Sequence, residues 1–352
     1  MLDLPLRRYS KNFMLKKSNV AVLGDGGWGT GMAMVSDRIG HSTLLWSAFP
    51  KYAEEMRTKR ENPKYLPGIK LPPELQITSD VKEAVQFGDF IVFAIPSQYL
   101  RAVLFQLKGV NLSKKIVVSV TKGIEKKTLL RPSEIIEQVL GKVHLAVLSG
   151  PSHAEEVVRN IPTLVVAAST EKKTAELVQE TFRDLRFRIY VQTDVVGVEL
   201  GAALKNVVAI AAGVCDGLGF GSNTKAALLT RGLLEITHLG VRMGASPNTF
   251  FGLSGLGDLI TTSISEYGRN RKVGELLGQG MAIEKILSGM DMVAEGVETA
   301  QSAVDLAKKY KVEVPILTEV YKMIFEGKKP ADALESLMLR EAREELRPYT
   351  YQ

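Results

Sequence analysis

The chain has 352 residues, 45% of them hydrophobic and 24% charged, with a formal net charge of +6 at pH 7. That length exceeds what one core comfortably serves, so two domains are expected, and the composition is that of an ordinary soluble globular protein. Residues 1–17 hold Arg7, Arg8, Lys11, Lys16 and Lys17 against Asp3, which leaves only +2 for the rest and argues against a basic nucleic-acid face.

Residues 1–18 read as a basic tail that lacks the apolar core of a secretory signal. One cysteine, Cys215, excludes an internal disulfide framework and fits a reducing, cytoplasmic setting. Four scattered histidines show no metal-ligand spacing, so no metal is expected.

From Asn19 the chain reads NVAVLGDGGWGTGMAMVSDRIG. This predicts a strand over Val20–Leu23, a glycine turn, and a helix running to Gly40. Strand, turn and helix are the context in which Gly24, Gly26 and Gly29 form a dinucleotide fingerprint rather than a bare tight turn. Gly24 permits the turn, Gly26 lets the backbone approach a pyrophosphate, and Gly29 allows helix to pack closely on strand. Free N–H groups at the helix start supply an anion site. The second strand, Ser42–Ser47, should end on an acidic reader of the adenosine ribose. It ends instead on Ser47-Ala48-Phe49, with neither a carboxylate nor an arginine there; Lys51 is the nearest cation.

Asn62–Pro73 is Pro-rich and aperiodic, a loop. A short helix over Val81–Phe87 precedes apolar strands at Asp89–Ile95, Lys115–Val120 and His144–Leu148, with later strands at 162–168 and 187–191 around a helix at 171–185. Such alternation predicts an α/β, Rossmann-type, parallel doubly wound sheet. Ligands bind such sheets at the carboxyl ends of the strands, the edge that carries Lys122 and the turn at 149–154. After Val195 only helical patterns remain, at 198–214, 223–243, 270–278, 294–310, 314–326 and 330–345. The expected organisation is a tail over 1–18, a dinucleotide-binding domain over 19–195 and an all-α substrate and catalytic domain over 196–352.

The run Val198–Val214 is apolar on nearly every side, the mark of a buried helix. At 17 residues, with Lys205-Asn206 in its middle, it is short and costly as a membrane span, so no stable insertion is expected. A lysine there is paired, snorkelling or functional, and burial would lower its pKa towards neutrality. The stretch alone leaves those readings open. Downstream, Gly252–Leu259 is too glycine-rich for a core helix, and Tyr267-Gly268-Arg269-Asn270-Arg271 offers a planar guanidinium fork suited to a phosphate.

The segments GDGGWGT, NPKYLPGI, IPSQY, TKGIE, SGPSHAEE, LGAALKN, GLGDL and GRNR, in this order, resemble the NAD(P)-dependent glycerol-3-phosphate dehydrogenases from about Asn19 to Arg343. The resemblance implies reversible reduction of dihydroxyacetone phosphate to sn-glycerol 3-phosphate for glycerophospholipid synthesis, with NAD as cofactor, NADP possible, and a homodimer. It makes Lys205 the general acid/base, with Lys122, Asp258 and Thr262 lining the reacting centre. Arg269 and Asn270 would hold the substrate phosphate, with Gly150, Ser152, Asn206 and Gly268 beside the substrate. Gly24, Gly26, Gly27, Trp28 and Gly29, with Lys122, Ala154, Arg269, Val293 and Glu295, would touch the dinucleotide. Ala48 departs from the pattern, since the family often has Arg or His there.

Two rivals differ in what they need. A two-domain β-hydroxyacid dehydrogenase would have no use for the phosphate reader at Arg269-Asn270. A non-catalytic dinucleotide sensor would have no reason to bury Lys205. With no cation after the second strand, kcat/KM should favour NADH over NADPH; a tenfold better value with NADPH would overturn that expectation and direct attention to Lys51.

Overall fold

The computed structural model describes residues 17–290, 292–342 and 344–345. The tail up to Lys16, and Arg343 at the end of the resemblance, lie outside the described residues. The chain opens with strand β1 (Asn19–Leu23), helix α1 (Gly27–Ile39) and strand β2 (Ser42–Trp46). Strands β3 (Gln76–Thr78), β4 (Phe90–Phe93), β5 (Ile116–Ser119), β6 (His144–Ser149), β7 (Thr163–Ala168) and β8 (Phe187–Gln192) complete one sheet. Its order is β8-β7-β6-β5-β4-β1-β2-β3, so the chain reverses its direction of travel across the sheet between β1 and β4. Central strands such as Val20–Leu23 and Phe90–Phe93 are buried along their lengths because helices cover both faces.

The sheet is not wholly parallel. β7 runs antiparallel to β6, while β8 is again parallel to β7. A parallel return needs a full crossover, commonly a helix, and between Ser149 and Thr163 the chain forms only the four-residue helix Ala154–Val157. That link lies against α1, with the Ala154 side chain beside Gly27 and Gly31. The Pro-rich loop is also more ordered than its sequence suggests. Glu61–Asn62 pairs with Leu66–Lys70 in a small hairpin, and buried Asn62 donates its amide to the Asp25 carbonyl (2.7 Å) and Thr30 Oγ1 (2.7 Å). The loop thereby braces the glycine turn.

Helix α2 (Val195–Gly217) is the axis of the second half. Asp194 caps its start by accepting from Gly197 N–H at 2.8 Å. Every residue from Gly197 to Cys215 is buried. The helix has the length and hydropathy of a membrane span, yet 89% of its most apolar window is packed inside the protein. Around it lie α3 (Ser222–Arg242), α4 (Asp258–Ile264), α5 (Arg269–Gly278), α6 (Glu295–Tyr310) and α7 (Pro315–Phe325). Its other side meets the sheet half, where buried Glu199 accepts from Ser133 N–H (2.8 Å), Ser133 Oγ (2.6 Å) and Arg131 (2.5 Å).

Two expectations for the helical half need correction. The last helix, α8, covers Pro330–Met338 and stops short of 345. Beyond it, Leu339 is exposed and Arg340, Glu341, Glu344 and Glu345 offer no apolar face to bury, and helical propensity without packing does not sustain a helix. The glycine-rich stretch does form a helix: Leu253–Gly257 is a π-helical turn that runs straight into α4. Its glycines are required by proximity. A Cβ on Gly255 would overlap the Phe250 backbone, and one on Gly201 of α2 would come within 2.9 Å of the Ser254 carbonyl oxygen.

The tightest helix crossing is α2 against α5, where Gly213 and Gly274 bring backbone onto backbone. A Cβ on Gly274 would overlap the Ile210 carbonyl, which cannot swing aside as a side chain could. Gly274→Ala should therefore destabilise the protein by about 3 kcal/mol, the upper end for an overpacked core, despite its better helix propensity. Urea unfolding would check this; an unchanged midpoint would mean that the two helices are free to move apart.

Candidate active site

The carboxyl ends of the strands, the π turn and the middle of α2 converge on one polar cluster. Lys205 stands halfway along α2, only 4% exposed, within a stretch buried from Gly197 to Cys215. Its ammonium donates to Asp258 Oδ1 at 2.9 Å and to Thr262 Oγ1. Asp258 is the first residue of α4, and Thr262, one turn later, shares its face and donates to Asp258 Oδ1 at 3.3 Å. The second oxygen of Asp258 accepts from Lys122 Nζ at 2.7 Å. Lys122 follows β5 and also donates to the Gly150 carbonyl at 3.2 Å. Ser152 Oγ donates to the same carbonyl at 2.9 Å.

One buried carboxylate is thus shared by two ammonium groups. Burial works to raise the Asp258 carboxyl, but Lys122 and Lys205 outweigh it and hold it below the ordinary carboxylate range. Burial lowers the Lys205 ammonium to about 8; Asp258 opposes the shift and Lys122 adds to it. A lysine so placed exchanges protons near neutral pH while remaining hydrogen-bonded.

His153 adjoins this cluster and was not singled out by motif. Burial first, then the nearby Lys205, brings its imidazole down to about 4, so the ring is neutral at working pH. The ring lies 6.0 Å from that of Tyr267. Among the described residues its Nε2 is buried without a hydrogen-bond partner. Its place between Ser152 and Ala154 in the turn after β6 was the available signal; only the fold brings that turn to α2.

The GRNR segment divides its labour. Arg269 starts α5, is exposed to solvent, and donates to the Val293 carbonyl at 3.1 Å. Asn270 is buried and faces inward, donating to Asn206 Oδ1 (3.0 Å) and accepting from Gly296 N–H (2.9 Å). The two asparagines therefore tie α2, α5 and α6 together behind the reacting groups. Gly268 lies where a Cβ would come within 2.6 Å of the Thr262 carbonyl oxygen. Glu295, the first residue of α6, accepts from Ser97 N–H (3.1 Å) and Ser97 Oγ (2.9 Å) at the end of β4. Burial pushes its carboxyl up to about 7 against the pull of Ser97 and Arg269. This contact joins the sheet half to the helical half, and Ser97 within IPSQY was likewise not singled out as a site residue.

The glycine turn has the shape a dinucleotide requires. Gly24 has φ +123°, and a Cβ there would overlap the Ala94 carbonyl; a Cβ on Gly29 would overlap that of Gly24. At Gly26 a Cβ would meet no described residue within 4 Å, so the space above the turn is open to a phosphate. Trp28 packs its ring 6.3 Å from that of Phe187, and among the described residues its Nε1 is buried without a partner. The turn after β6 spans the two regions, with Gly150 bonded to Lys122 at one end and Ala154 against Gly27 at the other. The residues present fit a dinucleotide lying from the glycine turn towards Lys122.

Comparison with known proteins agrees in both halves. Residues 19–175 match the N-terminal family model of NAD-dependent glycerol-3-phosphate dehydrogenase, and residues 194–335 the C-terminal one. A glycerol-3-phosphate dehydrogenase [NAD(P)+] of Thermoanaerobacter sp. is 50% identical, covering 93% of this chain and 98% of its own. The enzyme of the same name from Chlorobium phaeobacteroides is 47% identical over 93% and 99%. Among solved structures, the glycerol-3-phosphate dehydrogenase of Coxiella burnetii superposes with a TM-score of 0.89 at 36% identity, covering 92% of this chain and 99% of that one.

Asp258→Asn would leave two ammonium groups facing each other with no anion between them. The folded state should lose roughly 3–5 kcal/mol, the cost of breaking a buried ion pair from one side. Without the Asp258 anion the Lys205 pKa falls further below its value of about 8, so the deficit should narrow as the pH rises towards about 8 and stay level above it. Urea unfolding of both proteins between pH 6 and 9 would show this; a deficit independent of pH would place the loss in packing instead.

Proposed function

The chain belongs to the NAD-dependent glycerol-3-phosphate dehydrogenase family, and from that premise we propose which of its residues carry the reaction and how. The enzyme interconverts dihydroxyacetone phosphate and sn-glycerol 3-phosphate, using NAD or NADP. The observation that supports our assignment best is the buried Lys205–Asp258–Lys122 bridge, which joins α2, α4 and the end of β5.

A bound dihydronicotinamide supplies the hydride; the protein handles the proton and the position of the ketone. Lys205 gives its proton to the oxygen that becomes the alcohol, and takes one back in the reverse direction. Its lowered pKa makes either transfer accessible near neutral pH. Lys122 lies beside the same oxygen, where its side chain stabilises the charge that builds there. Asp258 holds both ammonium groups and limits their repulsion. Thr262 fixes the direction of the Lys205 ammonium. Arg269, open to solvent at the start of α5, takes the substrate phosphate with its planar fork, and that remote binding energy aligns the carbonyl. Gly150, Ser152 and Gly268 line the substrate, while Asn206 and Asn270 act by fixing α5 and α6. Gly24 to Gly29, Trp28, Ala154, Val293 and Glu295 border the dinucleotide.

In this reading residues 19–195 form the dinucleotide-binding domain and 196–352 the substrate and catalytic domain. The sheet that ends at Gln192 and the helix that starts at Val195 support that division. We further infer a cytoplasmic homodimer serving glycerophospholipid synthesis without membrane insertion. Consistent with this, the membrane-length helix is used as core.

Lys205→Met retains the stem of the side chain and removes the proton. Turnover of dihydroxyacetone phosphate should fall by a factor of roughly 10² to 10⁴ while NADH affinity barely changes. In the wild type, ketone reduction should be level below about pH 8 and decline above it, since it consumes the Lys205 proton. Alcohol oxidation should show the mirror profile. A folded Lys205→Met that binds NADH and turns over near the wild-type rate across pH 6–9 would make the lysine structural.

A further inference from the structure

The strand-end position that should read the adenosine ribose holds no carboxylate, yet the structure brings one there by another route. β1 and β2 are adjacent and parallel, with Leu23 paired to Trp46, so the residues that follow each strand leave the sheet side by side. On β1 they are Gly24 and Asp25; on β2 they are Ser47 and Ala48. Asp25 Oδ2 accepts from Ser47 Oγ at 2.5 Å. Ser47 is fully buried, and its Oγ accepts from Phe49 N–H at 3.2 Å, which leaves the hydroxyl proton for Asp25. Asn62 grips the Asp25 carbonyl at 2.7 Å, so the residue is held by both backbone and side chain.

We propose that Asp25, a residue of the glycine turn itself, replaces the missing strand-end carboxylate and reads the adenosine ribose hydroxyls, selecting NAD over NADP. The inference rests on the NAD(P)-dependent dehydrogenase reading and adds a specificity-determining residue to it.

The chemistry favours this role. Asp25 is 8% exposed, and burial is the main cause of its raised carboxyl pKa; Ser47 opposes the shift. A carboxylate short of solvent can accept several hydrogen bonds, and Ser47 supplies one. Ribose hydroxyls are donors and suit the remaining lone pairs. A 2′-phosphate brings no donor at neutral pH and sets a second anion against the first. Ala48, beside Ser47, has no charge with which to offset that repulsion. Phe49, 61% exposed at the same strand end, offers an apolar face on which adenine can lie.

The test reads nucleotide binding without substrate, by fluorescence titration of NADH, NADPH and 2′-deoxy-NADH. Wild type should bind NADH at least tenfold more tightly than NADPH and about tenfold more tightly than the 2′-deoxy form. Asp25→Asn, nearly isosteric and still able to accept from Ser47, should bind NADH and 2′-deoxy-NADH alike, and its NADH-to-NADPH ratio should fall at least tenfold. Ala48→Arg should tighten NADPH and leave NADH nearly unchanged. Equal losses for NADH and NADPH in Asp25→Asn would make the carboxylate a brace of the glycine turn and overturn the proposal. So would a wild type indifferent to the 2′-hydroxyl, a comparison that needs no variant to fold. Should these ratios hold while wild type fails to reduce dihydroxyacetone phosphate with either nucleotide, the substrate assignment would be at fault and Asp25 would keep its role.

Discussion

The structure turns on one carboxylate buried between two lysines. Lys205 sits in the middle of a helix whose every neighbouring residue is buried, where an unpaired ammonium would be untenable. Asp258 makes it tolerable, and the same carboxylate holds Lys122 from the other half of the chain. Such an arrangement is a weak source of stability, because desolvating three charges offsets most of their attraction. Burial lowers the Lys205 pKa while Asp258 keeps its ammonium hydrogen-bonded, and the shared carboxylate places a second cation within reach of the same space.

Getting Asp258 to that point explains much of the glycine in the helical half. The π turn must pass directly over α2, so Gly255 and Gly201 face backbone where any side chain would collide. The same economy of space recurs at Gly213 and Gly274, where α2 and α5 cross backbone to backbone. Close crossing sets Arg269 at the edge of the cleft while Asn270, its neighbour, points inward to Asn206 and Gly296. A guanidinium open to solvent and an amide committed to the interior are therefore consequences of one helix being held tightly against another.

The cofactor side is built on a different principle. There the backbone is shaped by glycine and then fixed by side chains from segments remote in sequence. Asn62, on a hairpin that the Pro-rich stretch disguises, holds the turn at Asp25 and Thr30. Glu295 crosses from α6 to Ser97 and so couples the edge of the sheet to the helices. The turn after β6 carries Gly150 to Lys122 and Ala154 to α1, which joins the two sites through five residues.

The sequence by itself determined the α/β half followed by helices, the glycine turn, and the placing of Lys205 in a buried apolar helix, because these depend on local period and on residues close together in the chain. Val20–Leu23, Gly24 to Gly29 and the helix after them form a continuous unit, and an apolar run with a lysine in it declares its conflict without any neighbour. The resemblance of eight short motifs carried the family, which comparison then showed. Only tertiary structure decided what relieved the conflict at Lys205, since Asp258 and Lys122 lie 53 and 83 positions away, and spacing contains no information on which charges will meet. It alone set β7 antiparallel, because the direction of a strand depends on how its connection packs. It also bonded Asn270 to Asn206 across α5 and α2, and brought Asp25 to a strand end that its own sequence neighbourhood left empty. Side-chain direction at a helix crossing or a sheet edge is fixed by the partner surface, and that surface exists only once the chain has folded.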